Sequence, residues 1–276
     1  MRLAALALLA LVPPQGPIRG EAKLVDCLAA KPRTRWVLLP DLREISGLVF
    51  TDDGRLLTHD DNRARIVELD YRKGLEVKAF QLGRIAVRGD FEGIAVAGPR
   101  VFLVTSDGVL YETREGKNGE AVPYTRTPTG AGRLCEIEGL AFEPRDRALL
   151  LLCKTPRVAE LRHVITILRW SLDGKRWLAP DRITIPMDKA FRNTWGHEFR
   201  GSDLTRDPVT GHYLAIAGIN RMAIELTPDG RILGAGPLGK HHPQAEGVAV
   251  AKGGTILVSD EGGRGPGHLT VYSCAR

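Results

Sequence analysis

Glu136 to Phe142 reads EIEGLAF, and that phrase recurs along the chain. It appears as EISGLVF from Glu44 to Phe50, DFEGIAV from Asp90 to Val96, RGSDLTR from Arg200 to Arg206 and QAEGVAV from Gln244 to Val250. Aligning the five places Gly47, Gly93, Gly139, Asp203 and Gly247 at one position, separated by 46, 46, 64 and 44 residues. A period of this size marks one supersecondary unit repeated, and such a unit buries its apolar face only against its neighbours.

The unit reads as four short strands. In the first, Ile45 to Phe50 is a continuous apolar run, and Thr51-Asp52-Asp53-Gly54 is a turn. Arg55 to Thr58 runs back, Arg65 to Leu69 runs forward, and Leu75 to Leu82 supplies an outer strand. An unbroken apolar run predicts a strand covered on both faces, which is the inner strand of a propeller blade. The expected fold is therefore all-β, a five-bladed β-propeller of four-stranded antiparallel blades. The last unit has room for only three strands, ending near Val271 to Cys274. The segment Arg35 to Leu39 has no blade of its own, and it completes the last one and closes the ring. About 18 extra residues lie between Pro156 and Phe199, including the apolar Val164 to Trp170 and the stretch Met187 to His197. Insertions of this kind extend an outer strand or form a loop on a binding face.

Composition agrees with a globular chain. It is 276 residues long, 43% hydrophobic and 26% charged, with 31 Gly and 17 Pro to serve many tight turns. The formal charge of +6 could indicate an anionic partner, but no basic run is interleaved with aromatics, which argues against nucleic acid. Arg2 followed by the apolar run Leu3 to Val12 and Pro13-Pro14 reads as an export signal, too short to span a bilayer. Cleavage after Gly20-Glu21-Ala22 assigns residues 1–22 to the signal and 23–276 to the propeller. A periplasmic or secreted monomer is expected, with no transmembrane segment in the mature chain.

The four cysteines fit an exported protein with disulfides. Cys27 and Cys274 stand near the two ends of the mature chain, where a closed ring brings them together. Cys135 precedes one inner strand, and Cys153 ends the strand that pairs back on it, so a second bond is expected there.

The chemistry gathers before the repeat glycine. Alternate side chains on a strand share a face, which pairs Glu44 with Ser46, Asp90 with Glu92, Glu136 with Glu138, Arg200 with Ser202 and Gln244 with Glu246. The loops carrying Asp60, Asp107, Asp260 and Glu261 belong at the same end. Lys154 and the stretch Ala217 to Asn220 interrupt the pattern in blades three and four, so blades five, one and two are the most acidic. Like charges 4 Å apart repel by about 4 kcal/mol at an effective dielectric of about 20. Either some carboxyls keep their protons or a cation sits among them. Oxygen-only donors suit Ca2+, with Glu44, Asp90, Glu92, Glu136, Glu138 and Glu246 as candidate ligands. Asp60, Asp107, Asp260, Glu261 and Arg200 then line the ligand mouth. For each glutamate taken alone, hydrogen bonding to a neighbouring blade is the competing reading.

Other chemistry is sparse. No Gly-x-Ser-x-Gly, His-Glu-x-x-His, Cys-x-x-Cys or phosphate-binding loop is present. Adjacent His241 and His242 point to opposite sides of an extended chain and read as a surface loop. His59 has no nucleophile beside it.

The phrases EISGL at Glu44, IVEL at Ile66, CEIEGLAF at Cys135, MAIELT at Met222, QAEGVA at Gln244 and VSD at Val258 resemble the SdiA-regulated family of bacterial β-propellers, distantly similar to NHL-repeat propellers. That resemblance implies five blades, an exported or membrane-anchored location and a calcium site, carried over to Glu92, Glu138 and Glu246. Ser202-Asp203 departs from the family's Glu-Gly form. The expected function is an exported calcium-binding module for a small ligand or protein partner. The alternative is a metal-assisted phosphate or carboxylate ester hydrolase, since the echoes also resemble phytase-like esterase propellers.

Overall fold

The computed structural model describes residues 23–191 and 198–274. The expected signal over 1–22 lies outside them, as do residues 192–197 of the insertion.

A short helix, α1 (Leu24–Ala29), precedes the closing strand β1 (Thr34–Val37). Blade one holds β2 (Ile45–Phe50), β3 (Leu56–Asp60), β4 (Arg65–Asp70) and β5 (Leu75–Leu82). Blade two holds β6 (Phe91–Ala97), β7 (Arg100–Thr105) and β8 (Val109–Arg114). Next come the two-residue β9 (Ala121–Val122) and then β10 (Tyr124–Pro128), which completes blade two. Blade three is β11 (Cys135–Glu143), β12 (Ala148–Pro156), β13 (Val164–Ser171) and β14 (Arg176–Pro186), followed by the helical turn α2 (Met187–Ala190). Blade four is β15 (Asp203–Arg206), β16 (Tyr213–Ala217), β17 (Met222–Leu226) and β18 (Ile232–Pro237). Blade five is β19 (Ala245–Val250), β20 (Thr255–Asp260) and β21 (His268–Ser273), completed by β1.

Closure follows the expected route. β1 pairs antiparallel with β21, with Trp36 opposite Leu269. The Cys27–Cys274 disulfide joins the two ends of the described chain beside it. α1, unforeseen in the sequence, buries Leu24, Val25 and Leu28 and donates the Leu24 N–H to Glu225 Oε2 at 2.7 Å. β9 leaves its own blade and pairs in parallel with β5, stitching blade two to blade one. The extra residues of blade three go mainly into long outer strands and α2.

The repeat glycines are needed where inner strands touch. A Cβ on Gly93 would lie 2.7 Å from the Leu140 amide nitrogen, and one on Gly139 would lie 2.9 Å from Asp203 Cα. One on Gly247 would lie 2.5 Å from the Ser46 carbonyl oxygen. Blade four carries Asp203 at this position instead. Its carboxylate accepts N–H groups from Val248 at 2.8 Å, Leu204 at 2.7 Å and Leu48 at 3.5 Å. Burial pushes this carboxyl well above its usual range, while the amides of Val248, Leu204, Leu48 and Leu140 pull the other way.

The second expected disulfide is not formed. Cys135 and Cys153 are free, buried thiols. β12 runs on past Cys153, so Cys135 faces Pro156 and Cys153 faces Ile137, with a register shift between them. The two cysteines are therefore not opposite one another in the ladder. Their thiols still hydrogen-bond, and that contact with burial pushes Cys153 up.

Candidate functional site

A β-bulge builds the site. In blade two, Phe91 pairs with Thr105 and Gly93 with Val104, leaving Glu92 unpaired between them. Glu138 is skipped in the same way between Ile137 and Gly139, and Glu246 between Ala245 and Gly247. In blade one the skipped residues are Ser46 and Gly47. A bulge adds one residue to one strand and re-aims its side chain. The echo therefore carries a repeated bulge, and its glutamates lean together at the start of the inner strands. Simple alternation along a strand, assumed in the sequence reading, does not foresee it.

Three bulge carboxylates and one ammonium interact. Lys154 Nζ bonds and ion-pairs with Glu138 Oε1, and Glu138 is only 3% exposed. Burial, then the charges of Glu138 and Asp90, push the Glu92 carboxyl up to about 9. Burial pushes Glu138 up to about 7 against the pull of Lys154. Burial also raises Glu246, again opposed by Lys154. Burial would lower the Lys154 ammonium, but the attraction of Glu138, Glu246 and Glu92 outweighs it and leaves the group raised. Among the described residues, Glu92 makes no hydrogen bond and no ion pair of its own.

An outer rim surrounds this layer. Glu44 shares a hydrogen bond with Glu261, which lowers Glu44, while burial and Glu44 push Glu261 up to about 8. Arg43 Nε donates to Glu44 Oε1 at 2.7 Å. Burial and the charge of Asp60 raise Asp61 to about 6, a residue the sequence reading did not select. Asp90 is exposed and accepts from Ser106 Oγ. Glu136 stands opposite Thr155 in the ladder. Arg200 donates to Thr155 Oγ1 at 3.2 Å, and Asn220 Oδ1 fixes its backbone N–H at 2.7 Å.

Three residues assigned to the mouth make contacts within the fold. Asp260 is fully buried and lies 2.8 Å from His242 Nδ1, while His242 Nε2 lies 2.6 Å from the Tyr272 hydroxyl. His242 is thus an interior residue rather than part of a surface loop. Asp60 is buried and accepts the Asn62 N–H at 3.0 Å, with Arg63 3.6 Å away. Asp107 accepts from Thr105 Oγ1 and holds a turn. His59 is buried as well. Burial pushes it down to about 4, so it is neutral, and its Nε2 accepts the N–H of the bulge residue Gly47 at 3.2 Å.

The donor set does not fit calcium as it stands. Calcium takes six to eight oxygens, whereas an ammonium already lies against Glu138. Among the described residues no group of three or more His, Cys, Asp or Glu is arranged to hold a metal ion.

Two cavities flank the cluster. One of about 680 Å³ is bordered by Glu44, Asp60, Arg63 and Arg88 on blade one. Another of about 400 Å³ runs from Lys154 to Arg162, Met187 and Arg200, between blades three and four. At the opposite end of the inner strands, Leu48, Phe50, Leu140, Phe142 and Val250 help line a mainly apolar cavity of about 390 Å³. Among the described residues, no helix is long and apolar enough to cross a membrane.

The chain is similar to the crystal structure of glutaminyl cyclase from Myxococcus xanthus, with a TM-score of 0.59 and 16% identity over 89% of this chain and 97% of that one. It is also similar to the PQQ-bound aldose sugar dehydrogenase of Streptomyces coelicolor, with a TM-score of 0.53 and 15% identity over 88% and 99% of the two chains. A luciferin-regenerating enzyme gives a TM-score of 0.54 and 8% identity over 88% and 96%. At such identities the likeness is one of fold alone. No curated protein matches the chain in sequence. Residues 182–271 match the family model described as SdiA-regulated, the family that the repeated echo resembles.

Proposed function

We propose that this chain is a binding propeller whose bulge carboxylates receive the protonated amine of a ligand. The observation that carries the reading is Glu92. It is held by a bulge among Glu138, Glu246 and Asp90, yet it has no hydrogen-bonding partner among the described residues. Lys154 supplies one positive charge to three bulge carboxylates, and protons held by the raised carboxyls balance the rest of the layer. A ligand ammonium would take the place of the Glu92 proton and pair with the carboxylate it leaves.

Calcium is the competing occupant, and it requires Lys154 to be drawn away from Glu138. An exported setting agrees with the Cys27–Cys274 bond, since such bonds persist in oxidising compartments.

Calorimetric titration with leucinamide, an amine without a carboxylate, tests the reading beside a parallel titration with calcium chloride. Leucinamide should bind the wild type and lose most of its affinity in Glu92→Gln. Equal heats from both proteins, or none from either, reject the amine site. Calcium uptake by the wild type in its place restores the metal reading.

A further inference from the structure

The cavity between blades three and four is positively charged on one side and apolar on the other. Its cationic side is Arg162 and Arg200, with His163 beside them. Among the described residues, neither guanidinium has a carboxylate partner. Arg200 is aimed by Thr155 Oγ1, and Asn220 pins its backbone. Glu198 is the one carboxylate in the described lining, so two guanidiniums exceed it by one positive charge. Phe199 is stacked on Phe191, with ring centroids 5.9 Å apart and planes at 17°. Met187 completes this apolar wall, and its N–H is tied to the His163 carbonyl at 3.0 Å. The cavity measures about 400 Å³, within the usual range for small-molecule sites. Lys154 belongs both to this lining and to the bulge cluster, so the two regions meet at one side chain.

We infer that this cavity is the carboxylate subsite of the same binding site, and that the ligand is a short peptide with a free N-terminus, an apolar body and a free C-terminal carboxylate. The proposal rests on the amine reading above and adds the other end of the ligand. Guanidinium forks bind carboxylates in paired hydrogen bonds. The wall of Met187 and Phe199 suits an apolar side chain between the charged ends. Lys154 borders both regions, and its ion pair with Glu138 commits its charge to the cluster and leaves the ligand's carboxylate to the guanidiniums.

The test compares leucyl-leucine with its C-terminal amide on wild type, Arg162→Gln and Arg162→Gln/Arg200→Gln. Charge-assisted hydrogen bonds of this kind make the free acid bind about tenfold more tightly than the amide. The double variant should bind acid and amide alike. Arg162 is exposed, so its single variant reads the subsite without a folding penalty, and it should lose part of the preference. Equal binding of acid and amide by the wild type overturns the carboxylate subsite while leaving the amine reading intact. Binding of neither peptide, or binding unaffected by Glu92→Gln, overturns the amine reading itself.

Discussion

The carboxylate of Asp203 accepts the N–H of Val248 at 2.8 Å across the boundary between blades four and five. The Leu48 and Leu140 amides of blades one and three converge on the same group. Each of these three donors follows a repeat glycine directly, so a single side chain ties blades one, three and five to blade four.

Replacing Asp203 by Gly completes the five-fold echo in sequence but should destabilise the protein by about 3 kcal/mol, because buried N–H groups lose their acceptor. Asp203→Asn keeps the shape and one acceptor oxygen and should cost less. Urea unfolding of the three proteins measures both effects. A neutral Asp203→Gly would refute the role.

Gly93→Ala should cost about 2 kcal/mol, since the new Cβ meets the Leu140 amide nitrogen at 2.7 Å and backbone cannot yield as a flexible side chain can. Gly236→Ala, with nothing within 4 Å of its Cβ, is the matched control and should be close to neutral. Equal melting temperatures for the two variants would contradict the close approach of the inner strands.

Stability should fall as pH rises through the neutral range. Glu92 ionises near 4.5 in the unfolded chain and at about 9 in the fold. The folded protein keeps a proton that the unfolded chain releases, so the favourable contribution is complete below the lower value and gone above the higher one. Glu138, raised to about 7, and Glu261, raised to about 8, act in the same direction. Urea midpoints followed across this window should decline in the wild type, and Glu92→Gln should flatten the slope. An unchanged slope in the variant would remove Glu92 as its cause.

Lys154→Met leaves Glu138 buried without its partner and should cost about 3 kcal/mol. The same change removes the one cation beside three carboxylates. Calcium should then raise the melting temperature of the variant, while the wild type responds little, because a ligand of the folded state stabilises it by mass action. Equal calcium responses would show that Lys154 does not guard the cluster.

Thiol titration of the denatured, unreduced protein should find the Cys135 and Cys153 thiols free and the Cys27–Cys274 pair closed. Reducing that bond releases a closed loop spanning 247 residues in sequence, for which chain entropy gives a loss of about 5 kcal/mol. A titration that finds no free thiol would restore the second disulfide.

The ring was legible in the sequence because a close backbone approach permits no Cβ, and the same demand at each blade writes the same glycine. Closure by the segment before Glu44 was legible from strand counting. The bulges were not, because adding one residue to a strand leaves no mark on its apolar run. They matter most at the site, since they turn Glu92, Glu138 and Glu246 out of the ladder. The His242–Asp260–Tyr272 contacts join residues far apart in sequence, and the turn before β19 carries His242 to the other two. Lys154 breaks the acidic pattern of the sequence. Its bond to Glu138 shows it to be a member of the cluster.

The amide-bound carboxylate also bears on passage through the ring. A propeller with an open axis is a pore in miniature, through which an ion or small solute entering at the glutamates could leave past Leu48 and Phe142. Asp203 holds amides from several blades at once, so its carboxyl and the hydrogen bonds it accepts stand between the inner strands where they meet. The glutamate end and the cavity at Leu48 and Phe142 lie at opposite ends of the inner strands that Asp203 ties together.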